Sequence, residues 1–189
     1  MDQATALKNL KDITETLQSM DCEYWLEAGT CLGAYREHGF IAHDNDTDIG
    51  VLQRDFLDIR AVVDLFYRLM SKGFNIYHTF GKLEKGFEIA VMRDLVKTDI
   101  FFFYEKGEYL WHGAWKNGGR NGDSDLIKLV FKKADILPLE QIGFLGNLFY
   151  VPGNIEAYLV ARYGADWQVP NKKWDWATSP KCINNDFEI

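Results

Sequence analysis

The chain has 189 residues, 47% of them hydrophobic and 15% aromatic, and its 28 acidic against 21 basic side chains leave a formal net charge of -7. That length reads as one domain, residues 1–189, able to bury about 70% of its unfolded surface, and the composition excludes a disordered polymer. The acidic balance argues against nucleic acid or anionic membrane as a partner, since both are bound through clustered Lys and Arg.

Cys22, Cys31 and Cys182 are an odd number at no metal-ligand spacing, so neither a disulfide framework nor a zinc module is expected. No run approaches the roughly 18 apolar residues of a membrane span, and the N-terminus lacks a signal peptide's apolar core. With reduced thiols as the default, the expectation is a cytoplasmic protein.

In chain order, Leu7, Leu10, Ile13, Leu17 and Met20 form the apolar stripe of an N-terminal helix. Residues 23–28 predict a buried strand ending at Gly29, and Thr30 is placed to N-cap a short helix running to Glu37. Gly39 releases the chain into a loop, and residues 48–52 predict a second strand. Residues 55–70 predict a long amphipathic helix with Phe56, Ile59, Val63, Phe66 and Leu69/Met70 on one face. β-like runs follow at 75–80, 87–92, 98–104 and 109–111, the first two joined by a hairpin turn at 82–86. The Gly/Asn-rich stretch 116–124 predicts a mobile loop. Short β elements are expected around 135–137 and 147–151, then a helix capped by Asn154 and closed by Gly164. Helices early and strands later indicate the α+β class, a mixed sheet with flanking helices.

The residues that carry chemistry lie between Trp25 and Val51. A Gly29-Thr30 pair at a strand-to-helix junction offers free backbone N–H groups and the positive end of a helix dipole, both of which favour phosphate. Asp44, Asp46 and Asp48 alternate on the way into an apolar strand, so an extended segment puts all three on one face. Like charges so placed repel unless a cation neutralises them, and hard oxygen ligands suit Mg²⁺ or Mn²⁺. The plainer reading of each piece is a helix cap and a solvated acidic turn. Asp99 heads an apolar run, Ile100-Phe101-Phe102-Phe103; it either faces solvent at the start of a strand or completes a metal site from a neighbouring one.

The stretch from Glu27 to Val51 resembles the LicD/fukutin family of the nucleotidyltransferase-fold superfamily. The residues that match are Gly29-Thr30-Cys31-Leu32-Gly33-Ala34, Arg36, Gly39-Phe40-Ile41 and Asp44-Asn45-Asp46-Thr47-Asp48. Asp99 resembles the family's distal carboxylate. The ending, from Val151-Pro152 through Tyr158-Leu159, Tyr163-Gly164 and Asp166-Trp167 to Pro170, resembles its C-terminal motif. His43 stands where the family pattern has Trp, and residues 104–133 match nothing. The resemblance implies a nucleotidyltransferase-like mixed sheet that moves a phospho-alcohol, such as phosphocholine or ribitol phosphate, from a CDP-linked donor to a sugar or glycan hydroxyl, releasing CMP. Asp46, Asp48 and Asp99 would hold one or two Mg²⁺ or Mn²⁺ ions. Asp99 would also serve as the base. Gly29, Thr30, Gly33 and Arg36 would hold phosphate, and Asp44 would be a ligand or outer support. Two alternatives stand beside it: transfer of the nucleotide monophosphate itself to a protein or small molecule, and a non-catalytic nucleotide- or glycan-binding module.

Among the other polar and aromatic residues, His112 beside Trp111 reads as an acid or base next to a sugar platform, or as a structural histidine. Trp111 and Trp115 read as stacking platforms or as core. Lys116 and Arg120 read as a substrate clamp or as solubilising charge. Lys128, Lys132 and Lys133 are expected on a charged helical face, and Cys31 as a small buried filler.

Overall fold

Asp2 opens the first helix, its carboxylate accepting from the Thr5 N–H at 2.7 Å. The helix, α1 (Gln3–Ser19), turns Ala6, Leu10, Ile13 and Leu17 into the core at the expected spacing. The structure is a computed structural model that describes residues 1–189.

The main sheet has seven strands, five of them in one run: β1 (Tyr24–Leu26), β2 (Asp46–Leu52), β3 (Asn75–Lys82), β4 (Lys85–Arg93) and β5 (Val96–Lys106). Their order is β1-β2-β5-β4-β3, antiparallel throughout except for the parallel pair β2–β5. A parallel neighbour needs a long crossover. Here it consists of α3 (Ile59–Ser71) and the β3–β4 hairpin. The end of β5 pairs with β6 (Tyr109–Trp115), which pairs in turn with β7 (Leu126–Lys132). The short helix α4 (Lys133–Ile136), a separate hairpin of β8 (Glu140–Phe144) and β9 (Asn147–Val151), and α5 (Ile155–Tyr163) complete the chain. The architecture is therefore α+β, a mixed sheet with flanking helices.

Trp25, Phe102, Phe103 and Phe131 are among the largest side chains shut off from solvent, each worth about 1.5–3 kcal/mol on transfer grounds. Trp25 lies so close over β2 that a Cβ at Gly50 would stand 2.4 Å from its ring, so glycine is required there. Arg93, at the end of β4, ties both long helices to the sheet. It donates to Asn9 Oδ1 (2.8 Å) and Asp12 Oδ2 (2.6 Å) of α1 and to the Lys72 carbonyl (2.8 Å) after α3.

Several local expectations are overturned. The helix expected over 55–70 is α3, N-capped by Asp58, and its buried residues are Val62, Leu65 and Leu69. Ile59, Val63 and Met70 face solvent instead. The expected strand at 135–137 is helical α4. Lys128 and Lys132 lie on strand β7 and not on a helix, and β8 had no counterpart among the expected elements. Residues 116–124 form two 3₁₀ turns. Asp125 is the reason: its carboxylate accepts from the Asn121 N–H (2.8 Å) and from the side-chain amides of Asn117 and Asn121. The helix capped by Asn154 and ended at Gly164 forms as expected. Beyond it the chain crosses back over β7, the Val130 N–H donating to the Cys182 carbonyl at 2.9 Å. No helix is long and apolar enough to cross a membrane.

Candidate active site

The parallel pairing of β2 with β5 brings two distant stretches of sequence together. In register, Asp46 lies beside Lys97, Thr47 beside Thr98, and Asp48 beside Asp99. Strand alternation then splits them between faces. Thr47 and Thr98 turn inward and share a buried hydrogen bond at 2.8 Å, while Asp46, Asp48, Lys97 and Asp99 line a cavity of about 840 Å³ on the other face. Asp44 sits in the loop before β2, not on the strand, and reaches the same cavity.

The strand-to-helix elbow supports this wall. Helix α2 (Ala28–Leu32) starts three residues earlier than the sequence suggests, with Glu27 as N-cap and Ala28 at φ 44°, and continues as a π-helical turn over Gly33–Glu37. Thr30 is accordingly not the cap. Its hydroxyl lies inside the helix and accepts the backbone N–H of Asp48 at 2.8 Å, fixing the strand against the elbow. At Gly29 a Cβ would stand 2.5 Å from Asp44 Oδ2, so the absence of a side chain lets that carboxylate approach. Gly33 allows another close approach, a Cβ there meeting the Gly39 carbonyl at 2.7 Å. Arg36 lines the cavity, and it donates to the Trp167 carbonyl (2.8 Å) and to Glu37, holding the C-terminal segment in place.

The electrostatics are those of crowded carboxylates. Burial, then Asp46 and Asp99, push the Asp48 carboxyl well above its ordinary range. Burial raises Asp99 as well, against the pull of Lys97. Lys97 Nζ lies 2.9 Å from Asp46 Oδ2 and 2.6 Å from Asp99 Oδ2, and burial together with Asp99 pushes Glu88, on β4, up to about 8. Asp99 Oδ1 is buried without a hydrogen-bond partner. Such an orphaned hard oxygen in a cavity also lined by Asp44, Asp46, Asp48 and Glu88 fits a divalent cation by donor type. The spacing does not: no three His, Cys, Asp or Glu side chains stand at metal-holding distance, and Lys97 joins Asp46 to Asp99.

Beneath the floor lies a second polar group that the sequence reading missed. Glu27 is wholly buried and accepts from Trp25 Nε1 (2.8 Å), Tyr158 OH (2.6 Å) and Arg162 (2.5 Å), while Tyr158 OH accepts the Ala28 N–H at 3.0 Å. The elbow is thus bolted to α5. His112 packs against Phe101 and Phe103, with Arg162 3.4 Å from Nε2. Burial and that guanidinium push it well below its ordinary range, and it is also among the residues that line the cavity. Trp111 is core, stacked on Tyr104. Trp115 lines the cavity with its indole N–H on the Gly86 carbonyl at 2.7 Å, and Cys31 is buried. Lys116 and Arg120 belong to the turns around Asp125 and are not among the cavity's lining residues. Glu88 carried the same signal as Asp99, a carboxylate inside an apolar run, and Lys97 falls at the same-face interval before Asp99.

Residues 21–154 match the LicD/FKTN/FKRP nucleotidyltransferase-domain family. Among curated proteins, "Ribitol-5-phosphate transferase FKTN" of Mus musculus is 35% identical over 89% of this chain and 34% of its own length. The Homo sapiens protein of the same name is 32% identical over 95% of this chain and 36% of its own. The chain therefore spans about a third of the length of these relatives. Among solved structures, the lincosamide antibiotic adenylyltransferase LnuA aligns with a TM-score of 0.47 at 14% identity, covering 77% of this chain and 79% of that one. On the family match and the fukutin relatives, the chain belongs to the LicD/FKTN/FKRP nucleotidyltransferase-domain family.

Proposed function

We propose that the protein is a metal-dependent phosphotransferase that moves a phospho-alcohol from a CDP-linked donor to a sugar or glycan hydroxyl, with CMP as leaving group. The observation that carries this reading is the in-register placement of Asp46 and Asp48 beside Lys97 and Asp99 on one cavity wall. The name of the fukutin relatives makes ribitol 5-phosphate the first group to try.

Asp46, Asp48 and Asp99 are the residues that would hold Mg²⁺ or Mn²⁺, which when bound neutralises charge on a diphosphate. In the reaction the acceptor oxygen bonds to the phosphorus that carries the alcohol, and the bond from that phosphorus to the bridging oxygen breaks. The bridging oxygen leaves with CMP. Asp99, with one oxygen unpartnered and its carboxyl raised by burial, takes the acceptor's proton. Gly29 and Gly33 keep the elbow open to close approach, Thr30 steadies Asp48, and Arg36 presents a cation on the wall.

The test is calorimetric titration of CDP, UDP, ADP and GDP, with and without Mg²⁺ or Mn²⁺, on wild type and on Asp46→Ala/Asp48→Ala. Metal-dependent binding that prefers CDP and disappears in the variant is the expected result. Folded wild type that binds no nucleotide would overturn the reading in favour of a binding module. Incubation with CDP-ribitol and a sugar acceptor then separates the two transferase readings: free CMP for phospho-alcohol transfer, the nucleoside in the product for nucleotidyl transfer.

A further inference from the structure

Arg162 lies in the last turn of α5, and the helical period puts it on the same face as Tyr158. That face meets the elbow. Tyr158 OH and Arg162 Nη1 both donate to one oxygen, Glu27 Oε1, at 2.6 and 2.5 Å. Glu27 in turn donates its backbone N–H to the Asp48 carbonyl at 3.0 Å, so the guanidinium is fixed one link from the carboxylates of β2.

A guanidinium is a rigid fork of N–H donors, and Glu27 engages only its Nη1 prong, where His112 Nε2 also lies, at 3.4 Å. Nε and Nη2 donate to no protein atom, although the side chain keeps only 9% of its exposure. Asp99 Oδ1 is the sole side-chain N or O atom both sealed from solvent and without a partner, so these two nitrogens reach open space. The space that Arg162 borders is the cavity, which it lines together with Asp48 and Asp99. Balancing Glu27 calls for one point charge, which an ammonium supplies; a fork offers a second, planar edge. Charged donors held at such low exposure without acceptors cost free energy that a ligand's oxygens would recover. The group best matched to that edge is an anion with several acceptor oxygens, and phosphate is one. Lys97 does not compete for it, since its ammonium is held by Asp46 and Asp99.

We propose that Arg162 is a phosphate-binding residue of the donor site: Glu27 clamps one prong of its guanidinium, and Nε and Nη2 hold a phosphate oxygen of the nucleoside diphosphate. This rests on the phosphotransferase reading above and deepens it. Glu27 becomes the positioning residue that aims the fork, and because the side chain is already fixed, little rotamer freedom is lost when the ligand arrives. The buried group beneath the floor is then part of the site as well as of the fold.

The test is calorimetric titration of CDP into wild type and Arg162→Lys, in the buffer in which wild type binds it most tightly, with the arginine Nε–H signals followed by NMR. Lysine can still face Glu27 but has no second edge, so CDP binding weakens about tenfold or more. The Nε–H signal that the variant lacks shifts in wild type as CDP is added. An arginine that only balances Glu27 gives neither result. Equal CDP affinity in wild type and Arg162→Lys overturns the proposal, and so does weaker binding with a wild-type signal that CDP does not move. If Arg162→Lys does not fold, Glu27→Gln/Arg162→Met, which leaves neither charge alone, is titrated in its place and judged by the same two readings. Folded wild type that binds no CDP overturns the proposed function together with this inference, whereas CDP binding that ignores Arg162 removes the inference alone.

Discussion

Glu27→Gln removes the charge that bolts the elbow to α5. The carboxamide keeps the shape of the carboxylate but only one acceptor oxygen, so its NH₂ group faces either the Trp25 indole N–H or the Tyr158 and Arg162 donors. Arg162 is then left as an unpaired guanidinium with only 9% of its side chain exposed. Removing one partner of a buried pair costs about 3–5 kcal/mol. For a chain of this size each kcal/mol moves the melting temperature by about 2–4 °C, so the expected loss is roughly 6–20 °C. Thermal unfolding followed by circular dichroism, with a urea titration for the free energy, reads it directly. The double variant Glu27→Gln/Arg162→Met removes both charges and should recover part of the loss, giving a coupling above about 1 kcal/mol. A fall of less than about 3 °C in the single variant, or two losses that simply add, would refute the assignment of Glu27 and Arg162 as an interdependent pair.

Two further outcomes are expected. Gly29→Ala places a methyl group 2.5 Å from Asp44 Oδ2 and displaces that carboxylate, while in the first turn of α2 alanine loses less backbone entropy on folding than glycine. The melting temperature should hold or rise as calorimetric Mn²⁺ affinity falls several-fold; unchanged affinity would remove Asp44 from the site. Glu88 titrates near 8 in the fold, against 4.5 as its ordinary value, so it favours the fold in its neutral form. That contribution is complete below about 4.5 and is lost as pH rises toward 8, at about 1 kcal/mol per pH unit. Glu88→Gln should flatten the urea-measured stability between pH 5 and 8 relative to wild type, and parallel pH profiles would contradict the burial of that carboxyl.

The long elements were legible wherever periodicity was strong, and the misses have physical causes. Leu10, Ile13 and Leu17 form an unambiguous stripe because α1 has one wet side. In α3 both faces carry apolar residues, Val62, Leu65 and Leu69 inward and Ile59, Val63 and Met70 outward, so composition alone could not choose between them. The start is set by the cap, where Asp58 accepts the Arg60 N–H at 2.7 Å three residues beyond the expected position. The turns at 116–124 left no trace in the sequence because Gly and Asn carry no periodicity, and the Asp125 carboxylate that shapes them lies just outside that stretch.

The carboxylates of the site were legible because each breaks a local rule: alternating like charges at Asp44, Asp46 and Asp48, and an acid at the head of an apolar strand at Asp99. What balances them was not, for a reason rooted in topology. The Lys97 interaction depends on β2 and β5 being parallel neighbours, a pairing that spans 51 residues and leaves no trace in either strand's own pattern. Glu27 and Arg162 are 135 residues apart, and each alone reads as surface charge. Exposed acids advertise themselves by local repulsion, whereas the cations and buried partners that make the arrangement stable are recruited by the fold. A reading of this chain from its sequence therefore finds the half of the site that is costly and misses the half that offsets the cost. Lys97, standing between Asp46 and Asp99, is where the two halves meet.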